Sequence, residues 1–522
     1  MPDSHPDRRP ATGRGSAVAR AATARADRLP ELDGVAPMDA AEALRELPGL
    51  VLLESARPGR TGRWSLLTAD PMAVLEAPSR GPDLFADARR LLARLAGGGD
   101  DVVGGDEARA TDGGAREAGD AAAADDAGDP AGARAHGAGE LPPFFGGLIG
   151  YLSYDLGRRL ERVPSIAAAD QPLPELRLAL HDWAIAWDRR TGRAWLGGRA
   201  LDGDAAGLDR RLAAVRARLA SPRPATPLLA RVDRLAPLIF VSGTTHAQWV
   251  DRVAAVRDAI AEGEIYQANL TRRLEAPFAD DPWPVFRRLR TGDPALFAGY
   301  LDLGADPRTG HPRALLSASP EPFLSVDAHG NVSTDPIKGT RPRGRTREDD
   351  RALARELLAS RKDQAENVMI VDVLRNDLGR VCVPGTVRVP RLLRLERTAS
   401  VQHLVTTVTG RLAAGRDAFD LLAASFPGGS ITGAPKIRAM EVIERLEPVR
   451  RGPYCGAMVW LGADGRMGSS ILIRTFVADG ARLTLHVGGG ITHRSDAEAE
   501  WDETVAKARG PLSSVGGVEV QP

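Results

Sequence analysis

The sequence predicts a mixed α/β fold of the α+β kind with an extensive core. Three observations carry this. Trp249, Val253, Val256 and Ile260 recur at helical spacing behind Thr245, a capping residue, and Gly263 supplies a stop. Apolar strand-like runs at 456–461, 469–477 and 483–487 are joined through Asp464-Gly465 and Asp479-Gly480, which are hairpin signals. The chain has 522 residues, 43% of them hydrophobic, enough for two domains or one large one.

Composition excludes several classes. Lys plus Arg and Asp plus Glu each total 69, so no global charge favours nucleic acid. No apolar run approaches a membrane span. The two cysteines, Cys382 and Cys455, build no disulfide framework and no CxxC pair, which fits a reducing cytoplasm.

Residues 1–28 are rich in Arg, Ala and Pro without an apolar signal core, and are expected as a disordered tail. An N-terminal region, 29–225, follows. It reads as a helix at 40–47, two short strands within 49–69 about the turn Arg57-Pro58-Gly59, and a helix at 84–95. Residues 97–140 are almost all Ala, Gly, Asp, Glu and Arg, and read as a disordered insertion because they cannot offset ordering entropy. Strands at 176–187 and 191–197 and a helix at 205–219 lead to a linker at 221–228, the best boundary. Residues 236–515 form the second region.

That region carries the chemistry. After a strand at 263–271, strands at 314–319 and 323–326 bracket Ser319-Pro320-Glu321-Pro322, either an ordinary turn or a held general acid. Residues 336–344, rich in Gly and Pro, read as a shaped loop presenting Lys338, with Arg341, Arg343, Arg345 and Arg347 close behind. Nearby cations and burial disfavour an ammonium, so Lys338 is either a nucleophilic amine or part of a solvated basic loop.

Two helical segments fill 351–378. The second is apolar on more than one face and is expected to be buried, so Glu366, Arg375, Asn376 and Asp377 need partners, structural or functional. His403 lies in a strand at 400–405, as a core histidine or a site residue. The glycine-rich run 426–436 feeds a helix whose start is marked by Thr432 and Pro435, a natural anion site without P-loop order.

Leu472, Arg474 and Phe476 share one face of the 469–477 strand, so Arg474 needs an anion, internal or from substrate. Gly488, Gly489 and Gly490 end the next strand and leave backbone open to a ligand. The last helix shows a capping box, Ser495 with Glu498, and a stop at Gly510-Pro511. Glu500, Glu503 and Lys507 share one face of it, as a solvent pair or as hard ligands for Mg²⁺ beside a lysine.

In this order the motifs resemble the chorismate-utilising enzymes, a family that includes anthranilate, aminodeoxychorismate, isochorismate and salicylate synthases. The matching stretches are Gly-Glu-Ile-Tyr-Gln-Ala-Asn-Leu from Gly263, Ser-Pro-Glu from Ser319, and Pro-Ile-Lys-Gly-Thr-Arg-Pro-Arg-Gly from Pro336. Ala-Glu-Asn-Val-Met-Ile-Val-Asp from Ala365, Arg-Asn-Asp-Leu-Gly from Arg375, Phe-Pro-Gly-Gly-Ser-Ile-Thr-Gly-Ala-Pro-Lys from Phe426, and Glu-Trp-Asp-Glu-Thr from Glu500 complete the set.

The resemblance implies an anthranilate-synthase-like fold, two packed antiparallel-rich sheets ringed by helices, with chorismate and Mg²⁺ between the sheets. It implies that Glu366 and Glu503, with Glu500 beside them, hold the metal. Glu321 is implied as the general acid for the departing C4 hydroxyl, and His403 as the active-site histidine near the ring carboxylate. Tyr454, Arg474 and Lys507, with the backbone of Gly488, Gly489 and Gly490, are implied to grip substrate carboxylates. Thr340 and Thr432 complete the implied substrate set.

Lys338 decides the branch. Anthranilate synthases carry alanine in this motif, whereas aminodeoxychorismate synthases carry lysine, whose implied role is attack at C2 as the C4 hydroxyl leaves. Ammonia then adds at C4 and expels the lysine, giving 4-amino-4-deoxychorismate for p-aminobenzoate and folate. Neither cysteine sits in a Gly-x-Cys-x-Gly elbow, so ammonia is expected from a separate glutamine amidotransferase subunit. Glu54-Ser55-Ala56 departs toward the anthranilate synthase pattern, where this stretch helps bind tryptophan. The alternatives are anthranilate synthase component I, an isochorismate synthase using water, and a catalytically silent scaffold. Retention of Glu321, Lys338, Glu366, Arg474 and Glu503 argues against the last.

Overall fold

The structure, a computed structural model, describes residues 24–56, 62–95, 102–104, 141–220, 237–397 and 401–521. Their strands form two sheets, of 14 and 10 strands. The large sheet runs from its edge Gly517–Val520 through Leu238–Ser242, Gln267–Pro277, Arg482–Ile491, Thr475–Asp479, Pro312–Ser319 and Phe297–Ala305. It continues through Val51–Glu54, Trp64–Thr68, Trp183–Asp188, Arg193–Arg199 and Ala24–Arg28 to Val102–Gly104, with Gly433–Ala434 paired to Gln267–Pro277 off this path. The small sheet joins Ile337–Pro342, Val401–Arg411, Asn331–Thr334, Pro322–Val326, Met467–Ile471, Ala457–Gly462, Gly147–Leu152, Leu176–His181 and Ala73–Leu75, with Arg388–Arg397 paired to Val401–Arg411 off this path. Two strand pairs are parallel, Ala24–Arg28 with Val102–Gly104 and Leu238–Ser242 with Gly517–Val520.

The sheets lie face to face. Ile149, Tyr151 and Met458 of the small sheet pack against Val51, Leu66, Leu315 and Val477 of the large one. Helices cover the outer faces. Leu208, Trp283, Phe286 and Leu512 come from helices on the large sheet, and Leu378 and Phe419 from helices on the small sheet. This is the antiparallel-rich, two-sheet architecture expected. Strands covered on both faces bury their polar residues, which therefore need partners. Arg272 is one case: its guanidinium reaches Glu519 at 2.5 Å and stands 4.4 Å from the ring centroid of Trp501.

Several expectations need correction. Ala24–Arg28, assigned to the tail, is a strand paired with Arg193–Arg199. Val102–Gly104, inside the expected insertion, pairs with Ala24–Ala26. The remainder of 97–140, the turn at 57–59 and the linker at 221–228 lie outside the described residues. The boundary between 29–225 and 236–515 does not divide the fold, because both sheets take strands from both regions.

The expected strand 176–187 is two strands in different sheets, broken at the buried Asp182, which pairs with Arg211 at 2.9 Å. A continuous apolar run conceals such a step, since both halves are covered on both faces. The 336–344 loop is instead a strand, Ile337–Pro342, at the margin of the small sheet, with a register shift around Gly339 (φ +79°). Glycine tolerates that conformation without a Cβ clash, so a strand survives here.

Candidate active site

The site is built where the chain steps between sheets. Pro312–Ser319 belongs to the large sheet and Pro322–Val326 to the small one, so Glu321 sits on the step. Met467–Ile471 and Thr475–Asp479 make the reverse step through Leu472–Arg474. The two steps are bonded side by side: Ala318 N donates to Arg474 O at 3.0 Å and Ile471 N to Glu321 O at 3.1 Å. Arg474 adopts φ 49°, the left-handed region disfavoured for a residue with a Cβ. It is therefore not mid-strand between Leu472 and Phe476, as expected. Its side chain is half-exposed, 3.9 Å from Asp293.

These steps border a cavity of about 540 Å³. The Lys338 strand, the helices Arg361–Gly379 and Ala497–Ser514, and the strands Gln267–Pro277 and Arg482–Ile491 supply its other walls. Glu321, Lys338, Thr340, Glu366, His403, Tyr454, Arg474, Gly488, Gly489, Gly490, Glu500, Glu503 and Lys507 all line it. Gly488–Gly490 do not end a strand. They lie inside Arg482–Ile491, opposite Thr271, Leu270 and Asn269. A Cβ on Gly489 would stand 3.3 Å from Glu500 Oε2 and 3.4 Å from Glu503 Oε1, so glycine leaves the carboxylates their room.

Thr432 is the exception. It is buried, donates its hydroxyl to Gly428 O at 2.9 Å and does not line the cavity. The helix after it starts at Lys436, with Pro435 as its cap, and Lys436 is turned to Asp377 at 2.7 Å. The glycine-rich run instead contributes Ser430 and Ile431 to the cavity wall.

Four carboxylates face three lysines. Lys507 Nζ lies 2.6 Å from Glu503 Oε1 and donates to Gly488 O at 2.8 Å. Lys362 Nζ lies 3.9 Å from both Glu366 Oε1 and Glu500 Oε1. Lys338 acts electrostatically on Glu321, Glu366 and Glu503. Burial raises the carboxyl pKa of Glu366 and of Glu500, and the ammonium groups only partly oppose it. Burial also acts on Glu503, but the charge and hydrogen bond of Lys507 outweigh it and hold that carboxyl below its usual range.

Glu321 is raised by burial, against a hydrogen bond to Ser430 and the charges of Lys338 and Lys507. A buried carboxyl raised in this way keeps its proton to higher pH, the property of a general acid. It also costs stability. The neutral form is favoured in the folded chain, so its contribution is complete below the unfolded carboxyl range and is lost as pH rises through the raised pKa. Glu321→Gln is therefore expected to melt about 1–2 °C higher than wild type at pH 8, and equally at pH 4. Paired thermal melts at the two pH values check this.

His403 Nδ1 lies 2.9 Å from Thr340 Oγ1 across the paired strands. Tyr454 stacks on His486 with ring centroids 4.7 Å apart. Burial pushes the Tyr454 phenol well up and the His486 imidazole well down, so both are neutral. Two of the four arginines behind Lys338 have partners of their own. Arg341 meets Glu356 at 2.7 Å and Asp363 at 3.3 Å, and Arg343 meets Asp350 at 2.7 Å.

Glu366 and Glu503, with Glu500 beside them, are the residues that could hold a hard cation. Glu366 Oε1 is buried and accepts no hydrogen bond. Among the described residues no three His, Cys, Asp or Glu side chains group tightly enough to hold a metal alone. Mg²⁺ normally takes one or two carboxylates and leaves positions for substrate oxygens.

Residues 96–513 match the family described as chorismate binding enzyme. The chain belongs to that family. An aminodeoxychorismate synthase component 1 from Salmonella typhimurium is 42% identical over 365 residues, 70% of this chain and 76% of that protein. An anthranilate synthase component 1 from Streptomyces coelicolor is 42% identical over 391 residues, 73% of this chain and 74% of that protein. The crystal structure of anthranilate synthase component I from Streptococcus pneumoniae superposes with TM-score 0.67 at 27% identity, covering 87% of this chain and 93% of that one. This chain is thus a chorismate-utilising enzyme. No helix among the described residues is long and apolar enough to cross a membrane.

Other residues of this chorismate binding enzyme escaped the sequence reading. Lys362, Asn269, Ser430, Cys455 and His486 line the cavity. Lys362 had a signal, its position four residues before Glu366 on one helix. Asn269 and Ser430 stood only inside matched motifs, and their contact forms only in three dimensions: Asn269 Nδ2 donates to Ser430 O at 2.9 Å. Of the polar residues expected to need partners, Asp377 has Lys436, whereas Arg375 and Asn376 are exposed. The terminal helix is capped by Asp496, not by a Ser495–Glu498 box, and runs through Pro511 to Ser514. Ser495 instead donates to Glu500 Oε1 at 2.6 Å, fixing that carboxylate. A second cavity, about 280 Å³, is lined by Glu54, Ser55, Met458 and Trp460, with Glu54 held by Arg290 at 3.0 Å.

Proposed function

We propose that this chain is the chorismate-converting component of an aminodeoxychorismate synthase. It works in the cytoplasm with Mg²⁺ and takes ammonia from a separate glutamine amidotransferase subunit. The observation that carries the reading is Lys338, a primary amine lining the same cavity as the buried acid Glu321.

Lys338 Nζ adds to C2 of chorismate, the ring double bonds shift, and the C4–O bond breaks with a proton from Glu321, releasing water. Ammonia then adds at C4 and gives a proton to the Glu321 carboxylate. The double bonds shift back, the C2–N bond breaks, and Lys338 departs with its electron pair. Arg474, Lys507 and the Gly488–Gly490 backbone hold the substrate carboxylates, and His403 stands by the ring carboxylate with Thr340 orienting it. Bound by Glu366 and Glu503 beside Glu500, Mg²⁺ supplies charge neutralisation of a substrate carboxylate.

Product analysis tests this. The pure chain with chorismate, Mg²⁺ and ammonium is expected to form 4-amino-4-deoxychorismate, and with glutamine in place of ammonium to form none. Anthranilate as the main product would overturn the branch assignment. That second reading, anthranilate synthase component I, is favoured by Glu54 and Ser55 lining a second cavity. Turnover of glutamine by the pure chain would overturn the need for a partner.

A further inference from the structure

A lysine in the first turn of a helix is an unfavourable choice. The N-terminal end of the helix dipole repels cations, and carboxylates are the usual occupants. Lys362 is the second residue of Arg361–Gly379, and Arg361 precedes it. Its ammonium turns toward the cavity, where it stands 3.9 Å from Glu366 on its own helix and 3.9 Å from Glu500 on the terminal helix. It acts on Glu503 as well. The side chain is half-exposed, so the tip has somewhere to go. Glu500 is otherwise held only on one oxygen by Ser495, and Glu366 Oε1 accepts no hydrogen bond.

We infer that Lys362 is a resident counter-ion that stands between Glu366 and Glu500, inside the divalent-cation site these residues form with Glu503, and is displaced when the metal binds. This rests on the metal reading of the cavity given above. A cation held by Glu366 and Glu503 beside Glu500 would compete with the ammonium for the same carboxylates. The flexible four-carbon stem lets Lys362 withdraw into solvent. In the metal-free chain the lysine ties the two helices together through their carboxylates. It thereby sets the metal affinity: each binding event breaks two ion pairs first.

The test is Mn²⁺ titration of the full-length protein followed by electron paramagnetic resonance, with Mg²⁺ as competitor. Wild type, Lys362→Met and Lys362→Arg are compared, with thermal melts in chelator and in excess Mg²⁺. Two partly exposed ion pairs are lost in the methionine variant, so its Mn²⁺ affinity is expected to rise about three- to tenfold. Its melting temperature in chelator should fall, and Mg²⁺ should raise it more than it raises wild type. The arginine variant keeps a cation between the carboxylates and should bind Mn²⁺ no more tightly than wild type. Unchanged or weaker Mn²⁺ binding by Lys362→Met overturns the inference alone. No Mn²⁺ binding by wild type overturns the metal reading and the inference with it.

Discussion

Lys338→Ala is expected to lose aminodeoxychorismate formation on the order of 10³-fold, the scale on which an essential catalytic group is missed. Lys338→Arg should lose as much. If the amine only balanced the charges of Glu321, Glu366 and Glu503, arginine would preserve that role and most of the activity. A guanidinium stays protonated and does not add to C2. The two variants therefore separate charge from nucleophilicity. The alanine variant also leaves C2 open to ammonia, so a trace of the 2-amino product or anthranilate is expected from it alone. Mass analysis of products from the three proteins, with trapping of a wild-type adduct on the Lys338 peptide, checks the whole chain of steps. Near wild-type turnover by Lys338→Arg would falsify the nucleophile assignment.

Turnover should disappear in excess chelator and return with Mg²⁺, and Glu503→Gln should lower kcat/KM by about 10²-fold. Glu503 is the one member of the acidic group held below its usual range, so it is ionised throughout the neutral region. Glutamine removes that charge and leaves Lys507 without its 2.6 Å partner. Part of the loss should therefore be recovered by raising Mg²⁺, and part should persist as weakened chorismate binding. Initial rates across a grid of Mg²⁺ and chorismate concentrations separate the two. Full activity in chelator would remove the metal from the mechanism.

Most of the site was legible because its residues lie in short contiguous motifs. Lys338, Glu321 and the Glu500–Glu503–Lys507 face each come from one local pattern, and each lines the cavity. Two of the errors fall where the chain changes sheet. Residues 176–187 and 469–477 read as single strands because both halves are apolar, and nothing in a period-two pattern marks a change of partner. Arg474 inherited a face from a strand that does not exist there. Thr432 was assigned to substrate through its motif, yet its hydroxyl is spent on the Gly428 carbonyl. Ser495 looked like a cap because Glu498 follows at the right spacing, while Asp496 takes the position and frees Ser495 for Glu500.

The order of strands in the large sheet fixes when this enzyme can finish folding. Val51–Glu54 pairs with Phe297–Ala305, and Leu238–Ser242 with Gly517–Val520 at the far end of the chain. Such contacts close long loops, whose entropy is lost before the pairing returns anything. During synthesis Val51–Glu54 must wait for Phe297–Ala305, and Leu238–Ser242 for Gly517–Val520, with apolar faces uncovered in the meantime. Catalytic competence should therefore arrive in one late step, since Glu503 and Lys507 sit on the helix just before that closing strand. Premature termination anywhere upstream yields a chain with neither a completed sheet edge nor a substrate pocket, and hence a target for chaperones and proteases rather than a weaker enzyme.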